Sequence, residues 1–429
     1  MHHLETPYLL LALGLIVCQV GLLLPFLHFS GIRTNEVIYR YSNPACWVTL
    51  FYCTWYLLPQ FYALLPGHAI IGLDSHSSFA RLEMVIWSQL YLLVFLCAVV
   101  LGCIAMTPLL ATRDRAMVKL AEPLSKNGRL YVATCFIVGV VATAILGMRF
   151  MSMDGMRAQL VKSLEGKILT ILCYFGAFAY AFIISRSFIA KRYVTVVVAT
   201  LVFGGAVFFT GSRGRFMWPM LLAVVYVSAY RNYLDVRKFA ITGLLLVSIL
   251  VFSDRILIAL RTDNLFELTK LADVKQNVDT IFLKRNFDGF ANFTLVSSDS
   301  NIVHDRSVLL NGARDFFMNR YFPKTYATGV GTGVGYPTMF WIAVGFWGLP
   351  VFGVLFGCTI GLINAGLRLI SDERIYWAYL IAMPWYCAIG GNFQESVDKM
   401  FAAMIAPVLW LVLSRIWRSD LRLRIRLTT

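Results

Sequence analysis

The stretch DRILIALRTDNLFELTKLADVK (254–275) opens a long polar segment that ends with ATGVGTGVG (327–335). The segment holds ten basic and nine acidic residues and no apolar run long enough to cross a bilayer. The chain on either side is apolar in blocks that approach the ~20 residues a membrane-spanning helix needs. This pattern predicts three parts: transmembrane helices over 1–253, a large loop over 254–335, and further transmembrane helices with a basic tail over 336–429.

The composition excludes a soluble globular domain. Hydrophobic residues make up 59% of the chain and charged residues only 14%, with a mean hydropathy of +0.70. Soluble domains carry nearly twice that charged fraction. No alternating pattern of a membrane barrel is present, so we predict an all-α polytopic membrane protein with about 11 transmembrane helices. The predicted spans are 7–29, 45–65, 84–108, 130–148, 167–185, 193–210, 216–230, 239–253, 349–367, 376–392 and 399–415.

The nine cysteines all lie in or beside apolar blocks, and the sequence contains no CxxC pair. We therefore interpret them as small apolar side chains rather than disulfides or metal ligands. The first block lacks a basic leader region and a small-residue cleavage site, which favours a retained helix over a cleaved signal peptide.

The distribution of Lys and Arg predicts the orientation. If the 109–129 loop is cytoplasmic, strict alternation places twenty of the 38 basic residues but only seven of the 23 acids inside. The N-terminus and the 254–335 loop are then outside, in the periplasm or its equivalent, and the C-terminus is inside. The net charge of +15 is thus explained by topology and by contact with membrane lipids. A nucleic-acid partner is not expected.

Two short amphipathic helices are predicted in the loop. Apolar residues recur at helical spacing over 264–285, and a second helix is expected near 302–318. Both are typical of helices on a membrane surface, although they could also position active residues. Alternating glycines at 329–335 predict a mobile loop or a close backbone contact.

The turn Thr210-Gly-Ser-Arg-Gly-Arg215 joins two predicted spans at their outer ends. Arg213 and Arg215 stand at a helix N-terminus, where backbone N–H groups and the helix dipole favour an anion. Arginine side chains match pairs of phosphate oxygens. The alternative is a tight turn whose arginines reach lipid head groups.

Several other polar residues could contribute to chemistry at the same face. Further basic candidates for binding a pyrophosphate are Arg255, Arg285 and Arg314. A hydroxyl nucleophile needs a proton acceptor within about 3 Å, and the candidates are Asp288, Asp315, Glu395, Asp398 and His304. Each of these also has an ordinary interpretation as a loop residue, and for His304 we favour that interpretation.

These residues carry a resemblance to a known family. The turn Gly211-Ser-Arg-Gly214, the pattern Ala313-Arg-Asp-Phe-Phe317 followed by Phe322-Pro-Lys324, and the run from Met339 to Pro350 resemble the Wzy-type polymerases of oligosaccharide repeat units. The resemblance covers roughly residues 205–400. It departs from the family after Pro323, where the chain passes directly to Thr-Tyr-Ala-Thr-Gly (325–329).

The resemblance implies a metal-independent glycosyltransferase of GT-C-like architecture, without a cofactor, that joins lipid-linked repeat units at the periplasmic face of a bacterial inner membrane. The substrates would be oligosaccharides on undecaprenyl pyrophosphate, and a chain-length regulator and a flippase are expected partners. Arg213, Arg285 and Arg314 would hold the pyrophosphate, and Asp288 or Asp315 would act on the acceptor hydroxyl. Arg215 and Arg255 join this set by their position alone.

Three other functions are compatible with the sequence. An O-antigen ligase would share the donor and differ in its acceptor. A flippase or transporter of lipid-linked glycans would show internal repeats, broken helices and charges within the membrane. A structural subunit of an export complex would need no converging arginines.

Overall fold

The computed structural model describes residues 2–27, 42–64, 80–106, 108, 120–152, 163–210, 213–231, 288–323, 334–389 and 393–428, at some helix ends as backbone only. Every regular element in these ranges is helical, and none is a strand. The prediction of an all-helical fold is therefore confirmed for the described residues. The physical reason is that a helix satisfies its own backbone hydrogen bonds where no water is available.

The helices of the first half are α1 (His2–Leu27), α2 (Pro44–Tyr52, a π-helical turn Cys53–Leu57, then Leu58–Ala63), α3 (Ala80–Ala105), α4 (Lys126–Ser152), α5 (Leu164–Ile189), α6 (Tyr193–Thr210) and α7 (Arg213–Arg231). Those of the second half are α8 (Asp288–Ser297), α9 (Val308–Asn311), α10 (Arg314–Tyr321), α11 (Tyr336–Val344), α12 (Gly348–Leu367), α13 (Glu373–Tyr386) and α14 (Phe393–Thr428).

Polar caps set where three of these helices begin. The Asn43 side chain accepts the Ala45 N–H, and proline follows at the first helical position of α2. Ser163 caps α5 through the Gly166 N–H, and Asp372 caps α13. Such caps satisfy backbone donors that the first turn of a helix leaves unpaired.

Six stretches of the described residues are long and apolar enough to cross a membrane. They are Pro7–Leu27, Glu83–Ala105, Lys126–Arg149, Leu164–Ile189, Tyr336–Leu367 and Ser396–Ile416. All six overlap predicted spans. Helices also occupy the predicted spans at 45–65, 193–210 and 216–230, whereas 239–253 lies outside the described residues. The helix in the predicted span 376–392 ends earlier than predicted, because α13 ends at Tyr386.

Glycines let α3 and α12 pack with their backbones in contact. A Cβ atom added at Gly357 would lie 2.1 Å from the Val99 carbonyl oxygen, and one at Gly102 would lie 2.2 Å from that of Val354. Gly353 and Gly361 extend the same contact by one turn in each direction. Small residues four apart are the usual means by which membrane helices approach closely. The two helices run parallel, as the predicted alternation requires.

The Gly357→Ala substitution is expected to destabilise the protein by about 1–3 kcal/mol, because α3 and α12 must separate to accept the added methyl group. Gly366→Ala is the matched control on the same helix, since a Cβ atom there meets nothing within 4 Å. The measurement is the thermal unfolding temperature of both variants in detergent. Equal unfolding temperatures for the two variants would contradict the close packing.

The apolar run 336–367 folds as a hairpin instead of one long helix. Gly345 adopts φ 72° and ψ −152° between α11 and α12, a conformation accessible essentially to glycine alone. The Phe340 and Phe352 rings stack with centroids 4.7 Å apart. The rings of Tyr336 and Phe356 lie 5.5 Å apart. In a straight helix, twenty residues would separate this last pair by about 30 Å. The N-terminus of α11 therefore lies beside the middle of α12.

Part of the segment 254–335 is built into the helical core. Phe290, Phe293 and Val296 of α8 are fully buried, and the hydroxyls of Ser297 and Ser88 lie 3.1 Å apart. The helix predicted near 302–318 is two short helices, α9 and α10, broken at Gly312. The helix predicted over 264–285 lies outside the described residues.

Candidate functional site

A cavity of about 30 Å³ lies among α4, α5, α6, α7 and α13, near the ends of α7 and α13 that we predict to face outward. Apolar and aromatic side chains form most of the wall, and Arg215 is its one charged member. The lining residues are Thr143, Cys173, Tyr174, Ala177, Phe178, Phe203, Val207, Arg215, Trp218, Pro219, Leu222, Ile381, Pro384 and Trp385.

Arg215 presents a partly buried charge with little protein to balance it. Its Nη1 donates to the Cys173 Sγ at 3.9 Å, and a thiol sulfur is a weak acceptor. Among the described residues, no carboxylate lies within ion-pairing distance of its guanidinium. A guanidinium has five N–H donors, and a charge in apolar surroundings is costly without a partner. The geometry therefore leaves most of the donors of Arg215 available to an anion.

Aromatic rings support the wall of the cavity next to Arg215. Trp218 and Trp385 contact each other edge to face, with centroids 6.4 Å apart. Tyr174 packs against Trp385 at 5.8 Å, and Trp47 of α2 packs against Trp218 at 6.2 Å. Trp47 is buried, and its Nε1–H has no acceptor among the described residues. Rigid rings of this kind fix the position of a neighbouring arginine and can also stack on a ligand.

The residues at the C-terminal end of α13 connect the aromatic wall of the cavity to the start of α11. The Ile389 carbonyl accepts the Tyr336 N–H at 2.8 Å and the Tyr56 hydroxyl at 3.2 Å. The Tyr336 hydroxyl donates to the Tyr386 carbonyl at 2.9 Å. The last glycine of the run at 329–335 is therefore within two residues of these contacts. The structure brings the end of the glycine run and the residue after Trp385 into one buried junction, which the sequence did not predict.

Only one arginine of the predicted set has both its side chain described and a place at the cavity, and that is Arg215. Arg213 is the first residue of α7, and its side chain lies outside what the structure describes. The same holds for the side chain of Asp288, the first residue of α8. Arg255 and Arg285 fall outside the described residues altogether.

The other two predicted site residues lie on α10. Arg314 is half-buried and Asp315 is exposed. No hydrogen bond or ion pair joins either side chain to another described residue. Arg314 and Asp315 are thus accessible within the loop, and nothing in the described residues connects them to the cavity.

An ion pair that was not predicted from the sequence fixes α10 in place. The Arg320 Nε donates to the Asp299 Oδ2 at 2.7 Å, and the Tyr321 hydroxyl donates to the same oxygen at 2.7 Å. The hydrogen bond from Arg320 lowers the pKa of Asp299 below its usual value, with a further contribution from Tyr321. The contact could not be predicted from the sequence, because Asp299 and Arg320 are 21 residues apart and meet only because the chain between them turns back at α9.

Because of the Arg320–Asp299 ion pair, the stability of α10 is expected to depend on pH only in the acidic range. A lowered pKa means that the stabilisation is complete above about 3.9, the ordinary value for aspartate, and is lost as the pH falls through the lower value in the folded protein. Amide hydrogen exchange over 314–321, corrected for its intrinsic pH dependence, should stay slow from pH 7 to 4 and rise below. Asp299→Asn should exchange fast throughout. A rise already at pH 5 would contradict the assignment.

Of the remaining proton-acceptor candidates, the two whose side chains the structure describes, His304 and Asp398, do not line the cavity. His304 is exposed, and its imidazole lies against Gly345 at the hairpin turn, which fits its interpretation as an ordinary loop residue. Asp398 is exposed near the start of α14, and the side chain of Glu395 lies outside the described residues. In the described part of the chain, no three His, Cys, Asp or Glu side chains group as metal ligands would.

A buried ion pair occupies the opposite, predicted cytoplasmic ends of α5, α7 and α13. The Arg186 Nη2 contacts both carboxylate oxygens of Glu373 at 2.7 Å, and the Tyr226 hydroxyl donates to the same carboxylate. The side chain of Arg186 is 19% exposed and that of Glu373 is 8% exposed. In the sequence, these charged residues indicated only the orientation of the chain. Their pairing was not predicted, because Arg186 and Glu373 are 187 residues apart.

Polar side chains also meet inside the bundle near α1. Gln19, Gln60 and Tyr52 are fully buried, Gln19 hydrogen-bonds to each of the other two, and its amide also donates to the Gln89 carbonyl. The side-chain amide of Gln89 has no partner among the described residues. A glutamine within an apolar run, as in α1, is the sequence signal that could have predicted this cluster.

Comparisons of this chain with protein-family models, with curated proteins and with solved structures found no match.

Proposed function

We propose that this protein is a glycosyltransferase that polymerises lipid-linked oligosaccharide repeat units at the periplasmic face of a bacterial inner membrane. In this reaction the bond between the donor glycan and its undecaprenyl pyrophosphate breaks. A bond forms between the same sugar carbon and a hydroxyl of the acceptor repeat unit. The products are a longer lipid-linked glycan, free undecaprenyl pyrophosphate and the proton released by the hydroxyl.

The observation that carries this proposal is the position of Arg215. Its guanidinium lines an apolar cavity and has only a thiol as a hydrogen-bond acceptor among the described residues. A leaving pyrophosphate develops negative charge, and a preorganised cation in a water-poor site stabilises that charge strongly. The surrounding Trp218 and Trp385 limit water and suit the apolar start of a lipid chain.

The other proposed roles follow from the family resemblance and from position. Arg213, Arg255, Arg285 and Arg314 would complete the neutralisation of the pyrophosphate. Asp288 or Asp315 would accept the proton of the acceptor hydroxyl. No metal or cofactor is assigned a step, and a chain-length regulator and a flippase are the proposed partners.

The deciding experiment is polymerisation by the purified protein in liposomes. Lipid-linked repeat units of one defined structure are added, and products are separated by gel electrophoresis. A ladder of multiples of the repeat unit is expected. A second set of liposomes also contains a different lipid acceptor, and transfer of single units onto that acceptor without a ladder would identify a ligase, which shares the donor site.

Transport of lipid-linked glycans is the second candidate, and two observations favour it. Transporters contain interrupted helices and charged residues within the membrane. The α11–α12 hairpin is such an interruption, and Arg186 with Glu373 is a buried ion pair at a helix end. Movement of a labelled lipid-linked glycan across the same liposomes, without any change in its size, would support transport over polymerisation.

A further inference from the structure

We propose that the loop before α9 is anchored in the surface layer of the lipid bilayer, together with the turn between α11 and α12. The anchor is an apolar patch formed by Trp87, Val303, Phe346 and Trp347. Its partner is the lipid itself, at the level where head groups meet acyl chains. The inference does not depend on the proposed reaction, because it concerns only where this loop lies relative to the membrane.

The length of α12 places the turn at the edge of the hydrocarbon layer. α12 contains 20 residues from Gly348 to Leu367, and a helix of that length spans ~30 Å, the thickness of the layer. Trp347 directly precedes α12 and is 69% exposed. Tryptophan is enriched at this level in membrane proteins, because its ring is apolar and its N–H can reach the head groups. Trp347 therefore marks the boundary between lipid and water.

Aromatic contacts extend the patch from the turn to α3. Phe346 packs edge to face against Trp347, with ring centroids 5.6 Å apart, and against Tyr91 of α3 at 5.9 Å. Tyr91 in turn stacks with Trp87 at 6.0 Å, and Trp87 is half exposed within the candidate span Glu83–Ala105. The patch is thus continuous with the surfaces of two candidate membrane-spanning helices, and this continuity favours lipid as its partner.

The loop before α9 contributes to the patch from a polar part of the chain. The Asp305 N–H donates to the Ile342 carbonyl at 3.0 Å, and the His304 imidazole lies against Gly345 at the turn. These contacts place Val303 beside the turn, with 70% of its surface exposed. A single exposed valine needs no explanation in water. Next to an aromatic turn at the edge of the membrane, it enlarges an apolar patch of the kind that marks a membrane contact.

The anchor also keeps α10 beside the membrane. Arg320 of α10 donates to the Asp299 carboxylate at 2.7 Å and to the Asn301 carbonyl at 2.8 Å. Asn301 is two residues from Val303, so α10 is joined to the loop next to the patch. Since α10 has only 8 residues and is about 12 Å long, its whole length stays close to the membrane surface.

The test introduces a fluorescent amino acid at position 303 of the full-length protein, which is then placed in lipid nanodiscs. Val303 is exposed, so the probe displaces no packed side chain. Loss of emission is measured with two quenchers, iodide in water and a nitroxide on the upper acyl chain of the lipid. The ratio of nitroxide to iodide quenching is expected to be severalfold higher at position 303 than at position 301, the matched control, because Asn301 is polar and exposed in the same loop.

A probe at position 351 provides the positive control, since Val351 is 53% exposed on α12 and should be quenched by the nitroxide lipid. Equal ratios at positions 303 and 301, with strong nitroxide quenching at 351, would overturn the anchor. Protection of position 303 from both quenchers would also overturn it, because protein and not lipid would then cover Val303.

Discussion

Replacement of Arg215 by glutamine is expected to lower the rate of ladder formation by roughly 100-fold or more, the usual effect of removing one group that stabilises a developing negative charge. Arg215→Lys should be intermediate, because it keeps the charge and loses the paired donors. The measurement is the initial rate of repeat-unit consumption in liposomes. Wild-type rates in Arg215→Gln would refute the role of this residue.

The same variant should not lose stability, which separates a functional role from a structural one. Among the described residues, Arg215 has no ion pair to lose, and its charge is partly removed from water. Its replacement by a neutral side chain should leave the unfolding temperature unchanged or raise it. Arg149→Gln is the matched control: Arg149 is at the predicted outer end of α4, is 49% exposed, and pairs with Glu165 at 3.5 Å. This control should keep normal polymerisation.

Removal of one partner of the Arg186–Glu373 ion pair is expected to destabilise the protein by about 3–5 kcal/mol, because the other charge is left buried without compensation. Glu373→Leu strands the Arg186 guanidinium, whose Nε already has no partner among the described residues. Arg186→Met strands a carboxylate that is 8% exposed. Unfolding in a denaturing detergent, followed at equilibrium, measures both effects.

The double variant Arg186→Met with Glu373→Leu decides what the ion pair does. If the pair only joins α5 to α13, the double variant should recover most of the lost stability, since apolar side chains replace both charges. Polymerisation should recover with it. A double variant that is stable but inactive would assign the pair a direct role and favour the transport function.

The sequence predicted the positions of the helices well, for a local reason. An apolar run must form its own hydrogen bonds in a membrane, so its ends can be read from hydropathy. The predicted span 84–108 corresponds to α3 at Ala80–Ala105, and 349–367 corresponds to α12 at Gly348–Leu367. The prediction was poorer for α13, because Pro384 and the junction at Ile389 end the helix earlier than hydropathy indicates.

The candidate site was predictable only in part. The glycine-containing turn before α7 identified Arg215 as a candidate, because anion sites often follow such turns. Nothing in the spacing distinguished it from Arg314, which lies half-buried on α10 with no connection to the cavity.

Local sequence patterns were enough to predict that this protein is helical, that it is built for a membrane, and where most helices begin and end. Those properties depend on residues close together in the chain. Two features emerged only from the three-dimensional packing: 336–367 folds back on itself, and Arg186 pairs with Glu373. The same packing places Arg215 at the wall of a cavity. These features depend on which helix faces meet, and packing between distant segments fixes that choice.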